Sequence, residues 1–115
     1  MFGDGSSYQR KATPPANWVA PMHNIGYHFS PNGTVAYRSN AFGGALRGDL
    51  LVVNFSIPDN LIRIQLSPNG QSVVSQAPLA DKFTGGPLAL AEGGDGTLYV
   101  GELYTDQISV LKPAG

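Results

Sequence analysis

The side chains best suited to chemistry in this sequence are two histidines, one arginine and a few polar groups close to turns. His28 could act as a general base or contact a cofactor, and His23 could bind a ligand from a loop. Arg38 could hydrogen-bond an anionic group, and Glu102 could bind calcium or a sugar hydroxyl. Asn54, at the end of an apolar run, adds an uncharged ligand-binding candidate. Each of them could equally be a solvated or structural side chain. We assign no metal-binding residue.

The composition and the motifs exclude several classes of function. With no cysteine, disulfides, thiolate metal sites and cysteine nucleophiles are ruled out. A formal net charge of -1 gives no basic surface for nucleic acid or for an anionic membrane. No apolar run approaches the ~18 residues of a membrane helix, and residues 1–15 show no apolar core of a signal peptide. We therefore expect a soluble chain with no nucleic-acid or membrane partner, and the compartment stays unknown.

The elements that must position these residues are short strands. The 115 residues suffice for one domain, 42% of them are hydrophobic, and 15 Gly with 9 Pro indicate many turns. No segment has helical periodicity, whereas residues 60–67 alternate with period two and residues 49–55 are continuously apolar. We predict a flexible arm at 1–15, followed by strands at 17–21, 33–39, 49–55, 60–67, 72–78, 87–92, 97–103 and 107–112.

Two stretches of the chain share one plan of strand, polar break, strand and Pro-x-Gly. Gly48 matches Gly96, and Ile62 matches Ile108. A period of about 40–50 residues built from short strands is typical of β-propeller blades. The alternative is two unrelated hairpins that share turn residues. The repeat predicts an all-β chain of two four-stranded antiparallel blades over 16–115, with blade one at 33–78 and three inner strands of blade two at 87–112.

One stretch of sequence carries a family resemblance. The run "HFSPNGTVAYRSNAFGGALRGDLLVVNFS" from His28 resembles the C-terminal blades of the sorbosone and soluble glucose dehydrogenase β-propellers. It shares their His, Pro, Gly and aromatic spacing and a strand of the form "RGDLFVA". The run "GGPLALAEGGDGTLYVGE" is similar to the next blade. The resemblance implies a six-bladed propeller that oxidises sugars or polyols with pyrroloquinoline quinone and calcium at its axial mouth.

The departures from the family pattern fall on the charged axial residues. Asn54–Asn60, "NFSIPDN", stands where relatives carry "HGSWNR", and Gly86 and Ala89 replace an Arg and an Asp. An acidic residue of the next strand is replaced by Gly101-Glu102. His28 is retained. We therefore expect a catalytically degenerate propeller, with the quinone and calcium as cofactors only if the family activity is retained.

Two blades alone would expose apolar flanks and open strand edges. We expect three copies to close a six-bladed ring as a homotrimer, with strand 17–21 of one copy swapped onto blade two of the next. The predicted function is binding of a small polar ligand, such as a saccharide, at the axial mouth. The alternatives are a quinone- and calcium-dependent sugar dehydrogenase assembled from several copies, a purely structural or protein-binding propeller, and a fragment of a longer enzyme.

Overall fold

The computed structural model describes residues 16–17, 19–55 and 58–113, so the predicted arm at 1–15 lies outside it. Within that part the chain is all-β, and its one helical element is the 3₁₀ turn Phe42–Gly44. The seven strands are β1 (Pro31–Ala36), β2 (Leu50–Asn54), β3 (Asn60–Leu66), β4 (Val73–Ala80), β5 (Pro87–Glu92), β6 (Leu98–Glu102) and β7 (Gln107–Leu111).

The strands form two antiparallel sheets in which sequence neighbours pair. The first sheet has the order β1-β2-β3-β4, and the second has the order β5-β6-β7. The predicted all-β class and the division into four and three strands are confirmed. None of the described residues belongs to a helix with the length and hydropathy needed to cross a membrane.

The continuous apolar run in β2 reflects burial on both faces of the first sheet. Leu51 and Val53 face the second sheet and share a core with Leu98 and Val100 of β6. Val52 points the other way and packs with Ile62 and Ile64 of β3, both of them buried. Because successive side chains of a strand alternate between faces, one run of valines and leucines serves two clusters. We call these clusters the inter-sheet core and the outer cluster.

The two sheets are held together by a close approach of their innermost strands. A Cβ on Gly33 of β1 would lie 2.6 Å from the backbone nitrogen of Leu90 in β5, so only glycine allows this approach. Beyond the end of β1, the buried Tyr37 hydroxyl donates a hydrogen bond of 2.6 Å to the carbonyl oxygen of Gly96. Burial raises the pKa of Tyr37, which keeps this donor protonated.

The outer faces of the two sheets differ. Ile25, from the segment that precedes β1, packs on the outer cluster of the first sheet, and its carbonyl oxygen accepts from Gln76 Nε2 at 3.1 Å. The outer face of the second sheet carries the exposed side chains of Tyr99, Ile108 and Val110. One flank of the molecule is therefore covered by its own chain, whereas the opposite flank presents apolar side chains to solvent.

The pairing registers identify which positions of the two sheets correspond. Pro31 pairs with Asn54 at one end of the first sheet, as Pro87 pairs with Glu102 in the second. Val52 pairs with Ile62, and its counterpart Val100 pairs with Ser109. The sequence match of Ile62 with Ile108 is therefore one residue out, because the loop between the second and third strands differs by one residue rather than two. A shift of one residue places a side chain on the opposite face.

The described residues of the predicted strand at 17–21, which are 17 and 19–21, pair with no strand of the single chain. Residues 19–21 have no regular secondary structure, and they are exposed. Its proposed pairing with another copy stays a prediction.

Candidate functional site

One end of the two sheets gathers most of the polar candidates. Because the strands are antiparallel, the end of β2 lies beside the starts of β1 and β3 in the first sheet. In the second sheet, the end of β6 lies beside the starts of β5 and β7. Asn54 ends β2 and Glu102 ends β6, and the two positions correspond in the registers. We call this end, with Asn54, Phe55, Asp59, Glu102 and Tyr104, the site end.

Glu102 is a buried carboxylate whose two oxygens both accept hydrogen bonds. The backbone N–H of Gly85 donates to Oε1 at 2.9 Å, and the Ser109 hydroxyl donates to Oε2. Gly85 belongs to the linker that leads into β5, and Ser109 belongs to β7. The carboxylate therefore joins the linker to the end of the second sheet, a structural role that occupies one acceptor site on each oxygen.

Asn54 is equally buried but only half satisfied. Its Nδ2 donates to Asn60 Oδ1 at 2.8 Å across the β2–β3 pair. Its Oδ1 is covered and has no hydrogen-bond partner among the described residues, and the same holds for Asp59 Oδ1. An unpaired buried polar atom costs ~1–3 kcal/mol, so these two oxygens are buried acceptors with unused hydrogen-bonding capacity.

Two aromatic rings lie over the start of β5. Phe55 and Tyr104 meet with ring centroids 5.6 Å apart and an interplanar angle of 41°. A Cβ on Gly86 would be 2.9 Å from the Tyr104 ring and 3.1 Å from Phe55, and Gly86 has a φ of +77°. Glycine is thus required below the rings both by space and by backbone conformation. Tyr104 is 73% exposed and presents a flat apolar surface at the site end.

His28 lies near the site end, whereas His23 does not. Two residues after His28, the carbonyl oxygen of Ser30 accepts from the Phe55 N–H at 3.0 Å. The His28 ring is exposed and packs against Tyr27 with centroids 3.9 Å apart. His23 Nε2 instead hydrogen-bonds Gln76 Oε1 at 2.7 Å, on the outermost strand β4. His23 therefore anchors the segment before β1 to its own sheet.

Arg38 lies at the opposite end of the molecule. The backbone N–H groups of Arg38 and Ser39 donate to the Glu92 carboxylate at 3.1 and 3.0 Å. Glu92 ends β5, far along the strand from Gly86 at the site end. Of the five residues singled out in the sequence, the structure places Asn54, Glu102 and His28 at one end and does not bring Arg38 or His23 to it.

Among the described residues, a single chain does not bring together the ligands of the calcium site that the family resemblance implies. Over residues 16–17, 19–55 and 58–113, no three His, Asp or Glu side chains come together in an arrangement that could hold a metal ion. Calcium takes six to eight oxygen ligands, and each oxygen of Glu102 already accepts one hydrogen bond from its own chain. No catalytic step through the quinone or calcium is derived from this chain.

The sequence did not point to a cleft at the end opposite the site end. A cavity of about 540 Å³ opens between the long β1–β2 loop and the β5–β6 turn, with lining residues that include Ser39, Asn40, Phe42, Asp95, Thr97 and Lys112. Phe42 has a φ of +56°, an unusual conformation for a bulky residue. A hydrogen bond from the Thr97 N–H at 3.0 Å lowers the pKa of Asp95. The feature of the sequence that could have indicated this cleft is the length of the β1–β2 loop, residues 37–49.

Comparison with known proteins adds no family assignment. No protein-family model matches this sequence, and no curated protein sequence matches it either.

Proposed function

We propose that this chain is a two-blade unit of a β-propeller ring that binds a small hydroxyl-rich ligand of the saccharide class at the site end, without catalysis. Three copies would close a six-bladed ring, the number that the family resemblance implies. Propellers of four to eight blades are common.

The propeller is supported by the way in which the two sheets pack. The first sheet contributes Leu51 and Val53 to the inter-sheet core, and the second contributes Leu98 and Val100. The counterparts of Leu98 and Val100 in the first sheet are Leu50 and Val52, which face the outer cluster instead. The two sheets therefore do not meet through equivalent faces. The face of the first sheet that carries Leu51 and Val53 packs against the non-equivalent face of the second sheet. Such head-to-tail packing can repeat until a ring closes.

Ligand binding is supported by the unused acceptors beside an exposed ring. Asn54 Oδ1 and Asp59 Oδ1 can accept hydrogen bonds and have no donor among the described residues. Tyr104 lies at the same end and offers an aromatic face. Sugars carry hydroxyl donors on their edges and C–H groups on their faces, which matches this combination. Because the two oxygens are covered, a hydroxyl reaches them only if a covering segment moves.

The test is a titration with glucose, maltose and cellobiose, followed by NMR chemical shifts of the full chain. We expect shifts at Phe55, Asp59 and Tyr104, an at least tenfold weaker affinity in Tyr104→Ala, and near-native affinity in Tyr104→Phe, which keeps the ring. Equal affinity in the native chain and Tyr104→Ala would contradict the proposed site.

A second assay separates binding from catalysis. The chain is incubated with pyrroloquinoline quinone, calcium, each sugar and a dye acceptor. We expect no turnover above a protein-free control. Turnover that depends on the chain would replace the proposed function with the sugar dehydrogenase alternative.

A further inference from the structure

The second sheet ends at β7, and the described residues place no strand beside its outer edge. We propose that residues 19–24 of a second copy of this chain form that missing fourth strand, in the register by which β4 pairs with β3. This inference rests on the proposed ring and specifies its seam residue by residue.

The first support is that the linkers leading into the two sheets have the same backbone pattern. Ser30 and Gly86 both have positive φ, of 50° and 77°, and each directly precedes the proline that opens an inner strand. The carbonyl oxygen of Ser30 accepts from Phe55 N–H, and that of Gly86 accepts from Leu103 N–H, each at 3.0 Å. Two unrelated linkers would have no reason to repeat both features.

The correspondence extends further back along the chain. The spacing that separates Ser30 from Gly86 also separates Gly26 from Lys82, and both of these residues have positive φ. Lys82 lies two residues after β4 ends at Ala80. The same spacing therefore makes residues up to Asn24 the counterpart of β4. Because β4 is the fourth strand of its sheet, its counterpart is expected to be a fourth strand as well.

In the single chain, this counterpart pairs with no strand, and His23 ties it to its own first sheet only through a side-chain hydrogen bond to Gln76. Residues 19–24 have no regular secondary structure and are exposed, and they include the apolar side chains of Val19 and Met22. The edge of β7 is unpaired at the same time, and its outward-facing Ile108 and Val110 are exposed. An unpaired segment and an open strand edge are complementary, and strand addition would satisfy the backbone groups of both.

The register follows from the first sheet. There Ile62 pairs with Pro78, Arg63 with Ala77, and Ile64 with Gln76. Transferred to the seam, the corresponding pairs are Ser109 with Met22, Val110 with Pro21, and Leu111 with Ala20. Pro21 takes the position of Ala77, next to that of Pro78, and has no backbone N–H, so the seam has at most one donor fewer than a strand without proline.

A matching aromatic residue supports the same arrangement. Phe83, in the linker after β4, packs against the inter-sheet core. By the same spacing its counterpart is Tyr27, which is 85% exposed. In the ring, Tyr27 would pack on the outer face of the second copy's second sheet, near Ile108. The side chain that lacks a packing site in one chain gains it at the seam.

Disulfide trapping tests the register, because the chain has no native cysteine. The variant Pro21→Cys/Val110→Cys places one thiol on each side of the proposed seam, and the control Ala20→Cys/Val110→Cys places them one residue out of register. After mild oxidation we expect the first variant to run as a covalent trimer of 12.1 kDa chains and the control to cross-link at least tenfold less.

Light scattering of the unmodified chain accompanies the trapping, so that the two proposals can fail separately. An oligomer by scattering in which neither variant cross-links, or in which both do so equally, would overturn the strand exchange and leave the ring. A monomer by scattering, with or without an intrachain disulfide, would overturn the ring and the exchange together.

Discussion

At corresponding strand positions, the first sheet has buried side chains where the second sheet has exposed ones. Leu61 of β3 is 0% exposed, whereas its counterpart Ile108 of β7 is 68% exposed. Leu51 of β2 is 0% exposed, whereas its counterpart Tyr99 of β6 is 41% exposed. The residue types stay apolar in both sheets, so the difference comes from the neighbour and not from the strand. The second sheet has the composition of a sheet packed on both faces, but in the single chain only one face is packed.

The ends of the sheets show a second contrast. Asn54 and Glu102 occupy corresponding positions at the ends of β2 and β6. The carboxylate is fully hydrogen-bonded to its own chain, whereas the carboxamide retains an unpaired oxygen. Equivalent backbone positions therefore serve different purposes: one closes the second sheet, and the other is the proposed contact for a ligand.

The largest expected effect on stability comes from truncating Leu61, the buried member of the Leu61 and Ile108 pair. Leu61→Ala should lower the free energy of unfolding by ~2–5 kcal/mol, since it leaves a cavity in the inter-sheet core. Ile108→Ala should change it by less than ~0.5 kcal/mol in a dilute monomer, because the side chain is exposed. Urea denaturation measures both. A cost for Ile108→Ala that grows with protein concentration would show the exposed face becoming buried in an assembly, and equal costs in the monomer would break the comparison.

The close approach of the inner strands provides the next contrast. Gly33→Ala should destabilise the fold by ~1–3 kcal/mol, because its Cβ would meet the backbone of Leu90, which cannot rotate away. The matched control is Gly94→Ala, where an added Cβ meets nothing within 4 Å. Thermal melts of the two variants should differ by several degrees. Similar melting temperatures would mean that the sheets do not approach as described.

Glu102 should be more sensitive to loss of its charge than a surface carboxylate is. Glu102→Gln replaces one of two accepting oxygens with a donor and should cost ~1–3 kcal/mol. Asp81→Asn, at an exposed position, is the control and should be nearly neutral. Denaturation at pH 7 measures the difference. If both changes are neutral, the contacts to Gly85 and Ser109 do not hold the end of the second sheet.

Alkaline pH should loosen the contact between the sheets through Tyr37. The pKa of Tyr37 is raised above 10.0 by burial, so the unfolded chain ionises first. Its contribution is fully present below pH 10.0 and is lost as the pH rises through the folded-state pKa. Tyr37→Phe should cost ~1 kcal/mol at neutral pH and show a shallower loss of stability above pH 10.0. Parallel pH profiles for the two proteins would contradict this assignment.

The strands were predictable because their signals are local. Period-two alternation located β3, and the unbroken apolar run of β2 correctly indicated burial on both faces. The correspondence of Ile62 with Ile108 was missed by one residue, because apolar identity cannot show which face a side chain takes. Pairing in the sheet decides this point.

The site was less predictable than the fold. The sequence pointed to Asn54 and Glu102 as polar strand ends, but not to the fact that Glu102 is satisfied and Asn54 is not. That distinction depends on Gly85 and Ser109, which approach only after the second sheet has formed. Arg38 was expected at the same mouth. Its position is instead fixed by the direction of β1, which carries it to the opposite end.

The simple order of strands along each sheet has a consequence for how quickly the molecule can fold. Within each sheet every strand pairs with its neighbour in sequence, so apart from the long β1–β2 loop the sheets grow by closing short loops, which costs little chain entropy. Docking of the two sheets must instead bring together groups as distant as Tyr37 and Gly96, which are 59 residues apart. Non-local contacts of this kind slow folding. All four strands of the first sheet precede β5 in the chain, so during synthesis on a ribosome the first sheet could form before the second. Until the second sheet emerges, Leu51, Val53 and Leu61 would be exposed to solvent.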